Sequence, residues 1–307
     1  MFVDLLSQSG LSLERLHSFC LVAEVGGVTR AAKGDPAKQS LYSRQIKELE
    51  EFFGAELMRR KGRGIVLTSA GQRLHSIARE QFAALADFKT ECQGQPLEIV
   101  LGAGESIIQW LILPRLEMIE RKLPNARHKF LNLTNAEIVR RLNEGLIDFG
   151  IVRKGEVALP LKGAILGLLS FSLFIPAQMQ ASLKGKQLPE LLRTMPLAVL
   201  EGDGSFRQQL TAMARKSKMD LQVKVECSSF PLVARSLATG MLGAILPSIA
   251  AQELRPLGLI EIPAKALQGF NRELCLVWNP RQLRIRTALE NARGIFVEAL
   301  RSQRATL

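Results

Sequence analysis

The chain has 307 residues, 47% of them hydrophobic and 23% charged, and carries a formal net charge of +12. Its length accommodates two or three domains, and its composition is ordinary for a soluble globular protein. The positive charge suggests an anionic partner, but residues 1–93 carry only 13 Lys and Arg against 11 Asp and Glu. The bulk charge therefore indicates general attraction to polyanions and does not locate a binding surface.

Four widely spaced cysteines form no CxxC pair, which is typical of a protein of the reducing cytosol rather than of a disulfide scaffold. They are Cys20, Cys92, Cys227 and Cys275. The first ten residues lack the basic start and apolar run of a signal peptide. The most apolar later stretch, residues 164–177, is too short to span a membrane, and we predict a buried strand there. We expect a cytoplasmic protein without a membrane partner.

The first predicted helix follows a leader of about ten residues. Apolar residues three or four positions apart predict a helix that ends at Gly26 and Gly27 and packs behind the next elements. These residues are Leu13, Leu16, Phe19, Cys20 and Ala23.

Residues 28–68 predict two short helices closed by a tight turn, followed by a hairpin. Asp35 is a favoured N-cap and Pro36 a favoured first helical residue, so we predict that the second helix begins there. Gly34 suits the end of the helix before it. The inward stripe of the second helix is predicted to consist of Tyr42, Ile46, Leu49 and Phe53.

Side chains suited to base edges and phosphates lie on the other faces of this helix and in the hairpin. Strands at residues 57–59 and 65–67 are predicted to flank the sequence RKGRG, whose glycines permit a tight turn. Taken alone, such a cationic hairpin is a solvated surface; after two helices we favour a wing against the DNA backbone. The candidate DNA contacts are Arg30, Lys38, Gln39, Ser40, Ser43, Arg44, Lys47, Arg60, Lys61 and Arg63.

These residues together resemble the winged helix-turn-helix of LysR-type transcriptional regulators. The resemblance rests on Ala31, Ala32, Gln39, Ser43, RQIKELEEFFG from Arg44 and LTSAG from Leu67. It implies double-stranded promoter DNA as the partner. The chain departs from the family at Asp35 (commonly Leu), Lys38 (commonly Ser or Thr) and Tyr42 (commonly Val or Ile). We therefore predict that the Asp35 cap starts the recognition helix about one turn earlier than usual.

A long helix is predicted next, opened by a capping box of Ser69 and Gln72 and ending near Cys92. Its stripe at near-heptad spacing has no nearby segment to bury it and needs a partner helix. The stripe consists of Leu74, Ile77, Ala78, Gln81, Phe82, Leu85 and Phe88. The resemblance implies that residues 74–88 pair two subunits into a homodimer, or further into a homotetramer, with RNA polymerase as an additional partner. We predict that His75 lies on the helix surface.

Beyond a joint at residues 93–96 (QGQP), strand and helix patterns alternate, which predicts an α/β fold with a mainly parallel sheet. Strands are predicted at residues 97–102, 129–133, 148–152, 170–175, 197–200, 222–227, 244–246 and 274–277. Helices are predicted at residues 116–123 and 137–143, after Gly204, and at residues 232–239 and 287–300.

This second part resembles the effector-binding region of the same family, which has a periplasmic-binding-protein-like fold. The matching sequences are LGAGES, LILPRLEMIERKLPNA, EIVRRLNEGLIDFGIV, LFIP and GMLGAILP. The family's glycine two residues after Gly240 is Leu242 here, with Gly243 one place later. The resemblance implies two α/β subdomains joined by crossing segments near residues 167–169 and 268–272. We predict a winged helix-turn-helix domain at residues 1–68, a linker helix at 69–93 and an effector-binding domain at 94–307. Subdomain I would span about 94–166 and 270–307, and subdomain II about 167–269.

Ligands of open α/β sheets bind beyond the carboxyl ends of the strands, where free N–H groups of helix starts favour an anion. Residues at these ends are candidate contacts, with Arg153 as the counter-charge; the alternative is that each polar one caps its own helix. They are Gly104, Ser106, Thr134, Asn135, Arg153, Ser205, Ser228, Ser229 and Phe230. We predict that a small anionic metabolite shifts the subdomain geometry and thereby the spacing of the DNA-binding domains.

The sequence also bears on three other function classes. The three scattered histidines and the absence of HExxH, GxSxG and P-loop motifs argue against an enzyme, so no catalytic residue, cofactor or metal is predicted. A solute-binding protein without a regulatory DNA role is the alternative, opposed by the missing export signal and the N-terminal helices. A thiol-based redox regulator would use Cys227 and Cys275, for which buried, inert thiols are the better interpretation.

Overall fold

A computed structural model describes residues 9–62, 64–183 and 185–301. The chain divides into two compact units. The first comprises the chain up to Leu97 together with Arg140–Leu146 and Asn279–Thr287; the second comprises the remainder. We describe each unit by itself.

Three helices open the first unit; the ends of the first and third follow local capping, whereas the second ends at Ala31, three residues before the predicted stop at Gly34. Helix α1 (Leu13–Val25) begins after Ser12, whose hydroxyl accepts a hydrogen bond from the Arg15 N–H, and ends at left-handed Gly26. Helix α2 (Val28–Ala31) is a single turn. Helix α3 (Pro36–Phe53) begins after Asp35, whose carboxylate accepts from two backbone N–H groups. The predicted cap at Asp35 is therefore confirmed.

The core of this unit corrects part of the predicted stripe on α3. Ile46 and Leu49 are buried as expected, but Phe53 is 39% exposed and its ring contacts only Phe52 among the aromatic side chains described. Gln45, which the apolar pattern omits, is buried at 5% exposure. The reason is that α3 packs on α1 along a line through residues 45, 46 and 49, and the helix end at Phe53 lies beyond that contact.

A hairpin and a long helix complete the N-terminal part. Strands β1 (Met58–Lys61) and β2 (Gly64–Leu67) pair antiparallel, so the predicted hairpin is present with slightly longer strands. Helix α4 (Ser69–Cys92) is capped by Thr68, whose hydroxyl accepts from the Gly71 N–H. The predicted capping box starting at Ser69 is therefore wrong by one residue. Thr68 is held in place because its hydroxyl also donates to the Glu56 carbonyl.

Helix α4 buries only part of its predicted pairing stripe. Leu74 and Ala78 pack into the core of the first unit beside α1, which corrects the expectation that no neighbour buries them. Ile77, Leu85 and Phe88 remain 48%, 51% and 64% exposed. His75 is 6% exposed, so the predicted surface position is wrong: its ring packs edge-on against a core phenylalanine of α1.

The second unit contains a five-stranded sheet in the order β4-β3-β5-β12-β6. Its strands are β3 (Leu97–Ala103), β4 (Ala126–Asn132), β5 (Phe149–Arg153), β6 (Lys162–Leu169) and β12 (Arg272–Trp278). Strands β3 and β5 are parallel, but β12 runs antiparallel to both of its neighbours. The predicted mainly parallel sheet is therefore a mixed one, because β12 returns from the far end of the chain instead of through a crossover helix.

Two further sheets form the other half of this unit. Strand β7 (Phe171–Pro176) lies between β10 (Ala244–Pro247) and β11 (Leu259–Ile262), antiparallel to both. Strands β8 (Leu197–Leu200) and β9 (Val223–Cys227) are parallel. The chain thus leaves the five-stranded sheet between β6 and β7 and returns before β12, as the predicted crossing segments require. We call the half with the five-stranded sheet subdomain I and the other half subdomain II.

Helices surround these sheets. Those with predicted counterparts are α6 (Leu116–Lys122), α7 (Asn135–Asn143), α10 (Ser205–Lys216), α11 (Phe230–Ser236) and α14 (Ala288–Leu300). Additional short helices of this unit are α5 (Glu105–Ile107), α8 (Gln180–Leu183), α9 (Leu188–Thr194) and α12 (Ala251–Leu254), whereas α13 (Pro280–Ile285) belongs to the first unit.

Single-turn 3-10 segments and one π-helical turn, Ile108–Ile112, connect several of these helices. Strand β11 and helices α5, α8, α9, α12 and α13 have no counterpart in the sequence prediction. The apolar stretch at residues 164–177 is two strands in different sheets, not one, because the strand is interrupted at Ser170 and the chain passes from one sheet to the other there. None of the described helices is both long and apolar enough to cross a membrane.

Candidate functional site

The exposed face of α3 carries most of the candidate DNA contacts. Their side chains are solvent-exposed, except for Gln39, which is half-buried: Lys38, Gln39, Ser40, Ser43, Arg44 and Lys47. Three of these cations pair along the helix with acidic residues at distances of 3.6–3.9 Å. Such exposed pairs are weak, so phosphates can replace the carboxylates as partners.

The turn between α2 and α3 holds two candidates in a defined arrangement. The Thr29 hydroxyl donates to the Gln39 amide oxygen at 3.5 Å, which orients the amide at the start of α3. Arg30 donates to the Gly26 carbonyl at 2.6 Å, and the same carbonyl accepts from the Ile65 N–H of the hairpin. Arg30 therefore lies where α1 meets the hairpin and not on the face of α3.

The hairpin presents the remaining cations. Arg60 and Lys61 are exposed at the end of β1, and Lys61 pairs with Gly64 across the turn. Arg63 lies outside the described residues. The geometry is that of a helix with a cationic hairpin beside it, and contact of each side chain with DNA stays a prediction.

All nine candidate ligand contacts line one cavity of about 750 Å³ in the second unit. They come from strand ends and helix starts of both subdomains: Gly104, Ser106, Thr134, Asn135, Arg153, Ser205, Ser228, Ser229 and Phe230. The cavity has the size usual for small-molecule sites in proteins. Their convergence follows from the topology, because the carboxyl ends of β3, β5, β8 and β9 and the starts of the helices after them meet at this crevice.

Hydrogen bonds show which of the nine candidate residues cap a helix and which have a side chain free to contact a ligand. Thr134 and Glu137 form a reciprocal cap at the start of α7, and the Ser229 hydroxyl accepts from the Leu232 N–H at the start of α11. For these two, the capping alternative applies. The hydroxyls of Ser106 and Ser228 have no hydrogen-bond partner among the residues that the structure describes, so they are the better candidates for contact with a ligand.

Two arginines line the cavity, Arg153 and Arg272. An Arg153 N–H donates to the Ser205 hydroxyl at 2.9 Å and joins the end of β5 in subdomain I to the start of α10 in subdomain II. Arg272, which the sequence prediction missed, also lines the cavity. Burial, together with the positive charge of Arg153, lowers the pKa of the Arg272 guanidinium. Two neighbouring guanidinium groups repel each other, and a bound anion would relieve that repulsion.

The sequence prediction also missed three phenylalanines, Phe171, Phe206 and Phe270, that line this cavity beside Phe230. Phe171 lies within an apolar stretch, Phe206 follows Ser205 and Phe270 lies between Gly269 and Asn271, so no common spacing signal identifies them. Only the path of the chain brings them together.

The four free cysteines differ in burial: Cys20 and Cys275 are buried, Cys92 is exposed, and Cys227 is half-buried rather than buried as predicted. Burial raises the pKa of the Cys20 thiol to about 12. Burial also raises the pKa values of Cys227 and Cys275, helped by the nearby carboxylates of Glu201 and Glu273 respectively. These thiols therefore stay protonated at neutral pH, which is the unreactive form. No group of metal-binding side chains occurs in the described part of the chain.

Comparison with known proteins places the chain in a family. Residues 13–72 match the family described as bacterial regulatory helix-turn-helix protein, lysR family, and residues 93–301 match the LysR substrate binding domain. The probable nitrogen assimilation transcriptional activator of Synechococcus elongatus is 26% identical over 284 residues, which cover 89% of this chain and 90% of that protein.

Solved structures share the fold. Full-length LysG from Corynebacterium glutamicum with bound effector Arg has a TM-score of 0.63 at 16% identity, covering 95% of this chain and 100% of that one. Full-length CbnR complexed with its target DNA has a TM-score of 0.54 at 20% identity, covering 93% and 100%. The helix-turn-helix match sets aside the solute-binding alternative. The chain therefore belongs to the LysR family of transcriptional regulators, which are not enzymes, and combines a DNA-binding helix-turn-helix with an effector-binding domain.

Proposed function

We propose that the chain acts in the cytoplasm as a homodimer, or as a dimer of dimers, that binds promoter DNA. A small anionic effector that enters the cavity changes the spacing of the DNA-binding domains. The proposed division is a DNA-binding domain at residues 1–68, a linker helix at 69–93 and an effector-binding domain at 94–307. RNA polymerase is the proposed partner at the promoter. The observation that carries the effector part is the convergence of nine predicted residues on one cavity, with Arg153 bonded to Ser205 between the subdomains.

The DNA part rests on the exposed cations of α3 and the hairpin. Each phosphate contact contributes about −0.9 to the slope of log affinity against log salt concentration. We expect Lys61→Gln to weaken binding to all duplexes and to reduce that slope by about one per copy of the side chain. Lys216→Gln, which removes an exposed lysine at the end of α10, is the control and should leave the slope unchanged. If the salt slopes of Lys61→Gln and Lys216→Gln were equal, Lys61 would not contact a phosphate, which would contradict the hairpin as part of the DNA interface.

The dimer part rests on the exposed side of α4. A monomer would leave Ile77, Leu85 and Phe88 in water along one helix, and exposed apolar stripes of this kind mark interaction sites. We expect Phe88→Glu to shift the sedimentation coefficient toward that of a monomer. Phe53→Glu, at an apolar residue of α3 that is also exposed, should keep the wild-type value. Unchanged assembly of Phe88→Glu would contradict pairing through this helix.

The effector part is tested by thermal stabilisation with a set of small carboxylates and amines of matched size. A ligand that binds only the folded state raises the melting temperature. We expect carboxylates to stabilise the wild type and the control Arg127→Gln, which changes an exposed arginine on β4 outside the cavity lining. Arg153→Gln should lose the response. Stabilisation by amines alone, or an unchanged response in Arg153→Gln, would refute the anion site.

A further inference from the structure

Four phenylalanines from four separate segments line the effector cavity and contact one another. Phe171 begins β7, Phe206 and Phe230 lie in the first turns of α10 and α11, and Phe270 ends the 3-10 turn before β12. Their ring centroids are 4.9–6.3 Å apart in five pairs. We call these four residues the phenylalanine cluster.

The cluster is partly open. Phe171 and Phe270 are buried, at 8% and 4% exposure, and form its base. Phe206 and Phe230 are half-buried, and their rings meet edge to face with centroids 4.9 Å apart and planes at 80°. Phe206 also stacks at 29° on Phe171. The cluster therefore combines a stacked pair with an edge-to-face pair, the two arrangements that aromatic rings prefer.

Cationic and hydroxyl groups share the same cavity with the cluster. Arg153 and Arg272 supply two guanidinium groups, and Arg272 is held by the carbonyls of Gly269 and Asn271 and by the Gln209 amide oxygen. Guanidinium groups match a carboxylate in charge and shape. Three glutamates also line the cavity: Glu137 is engaged in the cap of α7, Glu156 is exposed, and Glu105 is half-buried at the start of α5.

We propose that the effector of this protein is an aromatic carboxylate, whose ring packs on the phenylalanine cluster while its carboxylate faces Arg153 and Arg272. This inference rests on the proposed function, which names only a small anion. A cavity of about 750 Å³ admits more than one ring.

The cluster also offers a route from ligand to domain geometry. Phe171 directly follows Ser170, where the chain passes into subdomain II, and Phe270 precedes Asn271, where it passes back. A ring placed against Phe206 and Phe230 is thus one side chain away from both crossing segments. Ligand binding there biases how the crossing segments pack, which is the differential contact that a conformational switch requires.

The test is isothermal titration calorimetry of the full-length protein with four probes: phenylacetate, naphthylacetate, cyclohexylacetate and phenethylamine. The saturated ring of cyclohexylacetate matches phenylacetate in size and charge but lacks the π-system, and phenethylamine reverses the charge. We expect phenylacetate to bind at least about threefold more tightly than cyclohexylacetate, the factor typical of an added aromatic pair. Naphthylacetate should bind more tightly again.

Phe206→Leu should bring the affinities for phenylacetate and cyclohexylacetate together while leaving the affinity for cyclohexylacetate close to that of the wild type. Phe230→Leu is a second variant, should the first fail to fold. Phe53→Leu changes a phenylalanine of α3 outside the cavity lining and should keep the wild-type ratio.

Three outcomes would overturn the inference: equal binding of the two acids by the wild type, an unchanged ratio in the Phe206→Leu and Phe230→Leu variants, or no binding of either aromatic acid. Tighter binding of phenethylamine than of phenylacetate would overturn it as well. The Arg153→Gln variant distinguishes failure of the aromatic inference from failure of the proposed anion site. If both acids bind equally and lose affinity in Arg153→Gln, the anion site stands and only the aromatic inference fails; if Arg153→Gln binds like the wild type, the anion site itself fails.

Discussion

Gly71 is the position at which the structure tolerates no side chain, although it lies inside a helix. An added Cβ would sit 1.9 Å from the Leu57 carbonyl oxygen and 3.1 Å from Leu67 Cδ2. The same carbonyl accepts the Thr68 N–H at 3.0 Å, so it anchors the start of α4 to the chain just before the hairpin. We predict that Gly71→Ala destabilises the DNA-binding part of the chain.

The magnitude follows from two opposing effects. Replacing a helical glycine by alanine ordinarily stabilises by about 1 kcal/mol. Here a contact closer than 3.0 Å must be relieved by moving backbone rather than a flexible side chain. Overpacking of this kind costs about 3 kcal/mol, so the net loss is about 2 kcal/mol. Gly294→Ala is the matched control: it also lies in a helix, α14, but no atom is within 4 Å of its added Cβ, and it should stabilise.

Hydrogen exchange measured by mass spectrometry resolves the two parts of the chain, whereas tryptophan fluorescence does not, because Trp110 and Trp278 both lie in the second unit. In Gly71→Ala, the slowest amides of α3 should exchange about 30-fold faster, and those of α10 should keep their wild-type rates. If Gly71→Ala protected α3 as well as the wild type, the close backbone contact would not be what requires glycine, and the reasoning would be refuted.

Three further predictions concern charged groups and thiols. Burial and the positive charge of Arg79 lower the pKa of His75 in the folded state, so the unfolded state binds more protons. The free energy of unfolding should therefore fall as the pH drops below 6.5, the ordinary histidine pKa. His75→Leu should reduce the change in the urea midpoint between pH 7 and pH 5. Asp87 pairs with Arg286, which is 8% exposed, so Asp87→Asn should lower the free energy of unfolding, measured with urea, by about 2 kcal/mol because it leaves a buried charge without its carboxylate. Adding Arg286→Met should recover part of that loss. Iodoacetamide at pH 7 should alkylate Cys92 first by peptide mass spectrometry, because the other three cysteines have raised pKa values; faster alkylation elsewhere would contradict this.

Helix ends were predictable because capping is local. Asp35, Pro36 and Gly26 act through backbone groups only two to four residues away, so their roles follow from the adjacent sequence. The error at Ser69 has the same scale: Thr68 is an equally good cap one residue earlier, and its hydrogen bond to Glu56 across the hairpin decides between them.

Burial was less predictable because it depends on what a helix packs against. Periodicity shows that α4 is amphipathic, but it does not show that α1 covers Leu74 and Ala78 or that His75 is buried with them. The antiparallel direction of β12 is likewise invisible in its sequence, since buried strands of either direction are apolar runs.

The sequence by itself determined most of the longer helices and strands, the family and the set of strand-end residues, because these depend on neighbouring residues and on the ends that a crossover topology brings together. Only the tertiary structure decided which of those residues are engaged as caps, that Arg272 joins Arg153, and that the phenylalanine cluster forms. The physical reason is distance along the chain: Phe171 and Phe270 are 99 residues apart and meet only because two crossing segments return the chain to the same crevice.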